Sequence, residues 1–128
     1  MSEPLWVEQA VVFAIHDEQL AEHGGATGVR DMGLLESALA RPRNRYAYGR
    51  ISLPALAVSY AYGIAKNHPF VDGNKRTSLV VAELFLLLNG VELTATNESI
   101  VITWLKLAAG EMSENRLARW VSEHIRAC

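Results

Sequence analysis

Cysteine is almost missing from this chain of 128 residues: a single one stands at the last position, Cys128. An internal disulfide is thereby excluded, and no thiol spacing suggests a metal cluster. An excess of one charge sign is missing too. Twelve basic side chains face fourteen acidic ones, for a net charge of −2 and a pI near 6.1. That balance argues against nucleic acid as a directly bound partner. No apolar stretch approaches the roughly 20 residues of a bilayer span; the longest lies around Leu84–Leu88. Nor does a basic leader open the chain, since Ser2, Glu3 and Pro4 stand in its place and Glu8 interrupts the apolar residues after them. A soluble, cytoplasmic protein without a membrane partner is the expectation. Runs of alternating apolar and polar residues are also absent, which leaves little room for sheet.

What remains is helical periodicity. Half the residues are hydrophobic and a fifth are charged, as expected of one domain over 1–128 with a real core. A first helix is predicted over Val7–Glu22, with Val7, Val11, Ala14 and Ile15 on one face, stopping at Gly24-Gly25. The loop GGATGVRDMG supplies Asp31 as N-cap for a short helix, LLESALAR, which Pro42 should end. Residues 41–52 then read as an ordered basic loop carrying Arg41, Arg43, Arg45 and Arg50. A third helix, about Leu53–Lys66, has small residues at Ala55, Ala57, Ser59, Ala61, Gly63 and Ala65 that permit close approach.

After HPFVDGNKRT comes SLVVAELFLLLNG, apolar nearly all round and so expected at the centre of the bundle. VELTAT reads as a brief extended piece. Thr96 or Asn97 caps a fifth helix containing Ile100, Ile102, Trp104 and Leu105, and Ser113 begins a sixth. The fold class is all-α: a compact bundle of about six helices with a buried central helix behind the HPFVDGNKR motif.

That motif concentrates the chemistry. Pro69 keeps His68 out of regular helix, while Gly73 and Asn74 fall where the next helix begins. A helix start offers unpaired N–H groups and a partial positive charge, and glycine lets an anion come close. Lys75 and Arg76 add cations where they oppose the helix dipole, by roughly 0.3–1 kcal/mol each. A local conflict of that kind suggests an expected anion. Lys66, two residues before His68, is a further candidate for phosphate. Asp72 is a hard oxygen ligand suited to Mg²⁺ shared with a polyphosphate. An imidazole titrates near ~6.5 and can accept a hydroxyl proton at neutral pH. His68, Asp72 and Arg76 are therefore the catalytic candidates in a site that reads as one for a nucleoside triphosphate and Mg²⁺, with a base beside it. Taken alone, Asp72-Gly73-Asn74 is better explained as turn-and-cap chemistry; its joint occurrence with His68, Phe70, Lys75 and Arg76 is what favours a site. His16, His23 and His124 lack partners at metal-binding spacing and are expected on the surface or in the core.

HPFVDGNKRTS resembles the core motif of the Fic/Doc superfamily, H-x-F-x-[DE]-[GA]-N-[GK]-R. IHDEQLAEHGGATGVRDMGLLESALARP and LFLLLNGVEL are similar to other parts of its Doc (death-on-curing) branch, and Lys75 stands where the adenylyl-transferring Fic proteins carry glycine. The resemblance implies that His68 is the base for an acceptor hydroxyl and that Asp72 holds Mg²⁺. It implies that Gly73 and Asn74 form the anion turn, that Lys75 and Arg76 contact phosphate, and that Phe70 anchors the loop. The lysine side chain narrows the nest, and the resemblance implies that ATP binds there in the reversed sense, with its γ-phosphoryl group at the reactive position. The implied activity is phosphorylation of a threonine on elongation factor Tu, arresting translation. The implied partner is a cognate antitoxin whose C-terminal segment folds into a groove between the first and third helices. The basic loop would then be a flap aligning the target, with Arg30 and Asp31 bordering the same cleft. Thr94–Ser99, TATNES, approaches the inhibitory-helix pattern of Fic proteins but reads as helix cap. Two other functions stay open at this point: nucleotidyl transfer to a protein hydroxyl, and a catalytically silent partner-binding module.

Overall fold

The computed structural model describes residues 3–49 and 51–128; Met1, Ser2 and Arg50 fall outside them. Six α-helices occur among the described residues: α1 Gln9–His23, α2 Met32–Gly49, α3 Leu53–Asn67, α4 Asn74–Leu88, α5 Asn97–Ala108 and α6 Glu114–Ser122. Two short strands, β1 Val91–Leu93 and β2 Ile125–Ala127, pair antiparallel with Glu92 opposite Arg126. The all-α bundle is as expected; the C-terminal strand and the extension of α2 past Pro42 went unread. Side-chain caps set the helix starts. Asp31, Ser52, Thr96 and Ser113 each accept the N–H three residues on, which satisfies one of the orphan donors of each first turn. Thr96 in this role supports the cap reading of TATNES.

The most enclosed helix is α3, buried from Leu56 through Ala61 and again over Gly63–Ala65. It packs on α2, α4, α5 and α6. A Cβ on Gly63 would stand 3.1 Å from that of Ala38, so the missing side chain is what lets α2 lie so close. Most of the small positions of α3 are thus covered from within the chain. Helix α4 lies in the core on one face, through Thr77, Val81, Ala82, Phe85 and Leu86, and leaves Leu87 and Leu88 partly exposed. Helix α1 packs against α4 through Val12, Ile15, His16, Gln19 and Leu20. This face is rotated from the predicted one, because two of its five buried residues are polar and Val11 points outward.

Pro42 does not end α2. A proline inside a helix loses one hydrogen bond and crowds a carbonyl, which costs about 3 kcal/mol in isolation. Here the following turns are held from outside the helix. Pro42 and Tyr46 are buried. Arg41 grips both carboxylate oxygens of Glu114 on α6, one at 2.6 Å, and Arg45 reaches the same carboxylate at 2.8 Å. Glu114 raises the pKa of Arg41 chiefly by this hydrogen bonding. Arg43 pairs with Glu8 at 2.8 Å. These arginines therefore lock α2 to its neighbours within a helix, and the expected basic flap is not formed among the described residues.

Candidate active site

The motif lies between α3 and α4, and its backbone is set by two distant segments, the loop before α2 and helix α1. Helix α3 ends at Asn67, and His68 follows with φ 49° and ψ 55°, the one positive φ outside glycine among the described residues. A left-handed backbone costs a side-chain-bearing residue roughly 1–2 kcal/mol, and the following proline favours extended geometry instead. The loop before α2 supplies the restraint. The N–H groups of Arg30 and Asp31 donate to the Pro69 carbonyl at 2.7 and 3.0 Å, and Val71 donates to Gly28. An antiparallel bridge joins Val29 to Phe70. The guanidinium of Arg30 donates to the carbonyls of His68 and Asn67 at 2.7 and 2.8 Å.

Beneath the loop, Phe70 is 1% exposed. His16 of α1 stacks on its ring at 3.8 Å, and Phe13 meets its edge. The His16 Nε2–H donates to the Asp72 carbonyl at 2.8 Å. Asn74 ties the motif to itself: its Oδ1 accepts the Phe70 N–H at 3.0 Å and its Nδ2 donates to the Phe70 carbonyl at 2.9 Å. The same amide nitrogen stands 3.5 Å from His68 Nδ1, too far to lock a tautomer.

Gly73 (φ 78°) opens α4 without a side-chain cap, and no acidic residue stands in the first turn. The N–H groups of Asn74, Lys75 and Arg76 have no acceptor among the described residues. Neither do the side chains of Lys75 and Arg76 have an ion-pair partner there. Open amides, a helix dipole and two unpaired cations form an anion seat. Asp72 sits at its rim, exposed, with Oδ1 accepting the Gly73 N–H and Oδ2 the Ala26 N–H at 3.3 Å. Each of its oxygens keeps capacity for a cation. No cluster of three acidic, histidine or cysteine side chains occurs among the described residues. A lone carboxylate fits Mg²⁺, which takes most of its ligands from water and phosphate.

One cavity of about 480 Å³ joins these groups. It is lined by His68, Asp72, Gly73, Asn74, Lys75 and Arg76, and on the far side by Leu79 and by Val101, Trp104 and Leu105 of α5. Its size and its mixture of polar and apolar walls suit a small-molecule ligand. Six predicted site residues thus meet at one place, with Phe70 as their buried anchor. Lys66 does not join them; its ammonium rests over the Tyr62 ring, in a separate recess beside α5 and α6. The sequence reading missed the apolar α5 wall and His16. An exposed apolar pair at 101 and 105, one turn apart, was the available signal for the wall.

Matching of family models places residues 6–86, through the motif and most of α4, in the Fic/DOC family. The chain belongs to that family. It is 36% identical over 108 residues to Protein kinase doc of Escherichia phage P1, covering 84% of this chain and 85% of that protein. It is 47% identical over 75 residues to Toxin Doc of Mycolicibacterium smegmatis, covering 56% of this chain and 57% of that protein. Among the described residues, no helix is long and apolar enough to cross a membrane.

Proposed function

We propose that this chain is a Doc-type toxin acting as a protein kinase in the cytoplasm. It transfers the γ-phosphoryl group of ATP to a threonine hydroxyl of elongation factor Tu, and a cognate antitoxin restrains it through a C-terminal segment. The observation that carries the reading is the placement of an exposed imidazole, His68, in the same cavity as an uncapped, cation-flanked helix start. The names of the two relatives, a kinase and a toxin, support the kinase and toxin parts. The choice of elongation factor Tu follows from the motif resemblance alone.

The amides of Asn74, Lys75 and Arg76 bind the phosphate chain, and the Lys75 and Arg76 side chains neutralise charge on its equatorial oxygens. Mg²⁺ held by Asp72 would add charge neutralisation to the polyphosphate. The acceptor oxygen attacks the γ-phosphorus, the bond to the β,γ-bridging oxygen breaks, and ADP departs. The hydroxyl proton passes to His68. Leu79, Val101 and Leu105 close the other side and limit water.

ATP labelled separately at the α- and γ-phosphorus, given with Mg²⁺ and a cytoplasmic extract, tests this. Only the γ label is expected on protein, and on elongation factor Tu. An α label on protein would assign nucleotidyl transfer, and no label from either position would favour a silent binding module.

Gly25 bears on the Asp72 assignment. A Cβ there would stand 2.9 Å from Asp72 Oδ2 and 2.9 Å from Leu20 Cδ2, at φ 129°. Gly25→Ala is therefore expected to displace the carboxylate and raise the Mg²⁺ concentration for half-maximal activity by ~10-fold or more. A Mg²⁺ titration that matches wild type would remove Asp72 from the metal role.

A further inference from the structure

We infer that Arg30 is a positioning residue for His68, acting through the backbone of the motif; the inference rests on the reading of His68 as the base. Arg30 does not line the cavity, and it touches three successive carbonyls instead. Its N–H donates to that of Pro69 at 2.7 Å. Its Nε and Nη2 donate to those of His68 and Asn67 at 2.7 and 2.8 Å. The last carbonyls of a helix have no partner within it and carry its negative dipole end, which a guanidinium answers with both charge and donors. The two nitrogens project in parallel from one edge of a rigid plane, so the fork fixes the relative direction of two adjacent carbonyls.

That direction is what the left-handed turn at His68 requires. Pro69 pulls the same peptide toward extended geometry, so the turn persists because the carbonyls on both sides of His68 are held. Without the fork the carbonyls of Asn67 and His68 are released while the main-chain bonds to Pro69 and Val71 remain, so the peptide between them turns and the imidazole shifts from the mouth of α4 while the anion seat, built from residues 73–76, stays in place. Transfer should therefore suffer and nucleotide binding should not. An ordinary helix cap would give no such separation.

Arg30→Met keeps the apolar stem and removes the fork. It is expected to lower kcat for γ-phosphoryl transfer by ~10–100-fold, the scale of a 1 Å misplacement, with KM for ATP unchanged. In a ¹H–¹³C spectrum the His68 ring resonance should shift while those of His16, His23 and His124 stay. Arg30→Lys, which reaches one carbonyl in place of two, should show a smaller shift of the same resonance. It gives the same readings if the methionine variant does not fold. An unmoved His68 resonance, or a KM for ATP that rises in step with the fall in kcat, overturns the inference. If the wild type transfers no phosphate, the proposed function fails and the ring resonance alone decides the role of Arg30.

Discussion

His68→Ala is expected to slow phosphoryl transfer by ~10²–10⁴-fold, the usual contribution of a positioned general base. It should also release growth inhibition while leaving a folded protein. The side chain is exposed, so its removal opens no internal cavity. Its backbone is the complication, because alanine has less tolerance than histidine for the left-handed turn at φ 49°. A loss of activity in His68→Ala alone would leave two explanations, a missing base and a relaxed loop. His68→Asn separates them, since asparagine accepts left-handed geometry and offers an amide with no basic nitrogen. Both variants should be inactive in single-turnover transfer from γ-labelled ATP, and both should bind the nucleotide as tightly as wild type. Asparagine with wild-type transfer would show that the turn matters and the imidazole does not.

The polar half of the site was legible because it is contiguous. Residues 68–76 sit on one turn and one helix start, so local rules of capping, dipole and proline geometry apply without knowledge of the rest of the fold. Their conflict with local preference, two cations at an uncapped helix start, is what marked them as functional. What could not be read is whatever comes from a distance. Gly25 lies against Asp72, His16 against Phe70, and Arg30 on the carbonyls of Asn67 and His68. Each of these contacts spans about forty residues or more and leaves no periodic trace in the chain. The same reason explains Pro42. Local propensity ends a helix there, and Glu114, on another helix, overrides it. The basic cluster misled for a related reason, as the charges of Arg41, Arg43 and Arg45 are matched by acids far along the chain (Glu8 and Glu114) that a local reading does not bring near.

Phe70→Ala should be the most damaging change to stability in the motif, and it should remove activity without touching a reacting group. The ring is 1% exposed, stacked on His16 and met at its edge by Phe13. Truncating a buried phenylalanine costs roughly 3–5 kcal/mol, through lost transfer energy and the cavity left behind. For a domain of this size that corresponds to a fall in melting temperature of about 10–20 °C. The same ring keeps the Phe70 peptide where Asn74 bonds it on both sides, so its loss frees the start of α4 as well as the core beneath it. Nucleotide binding should then weaken along with transfer, unlike in the His68 variants, where binding is kept. Phe70→Leu, which fills most of the volume, should recover most of both. Thermal unfolding read with nucleotide titration checks the pair of effects. A melting temperature within two or three degrees of wild type, by a conversion of about 4 °C per kcal/mol, would mean that the loop does not depend on this anchor.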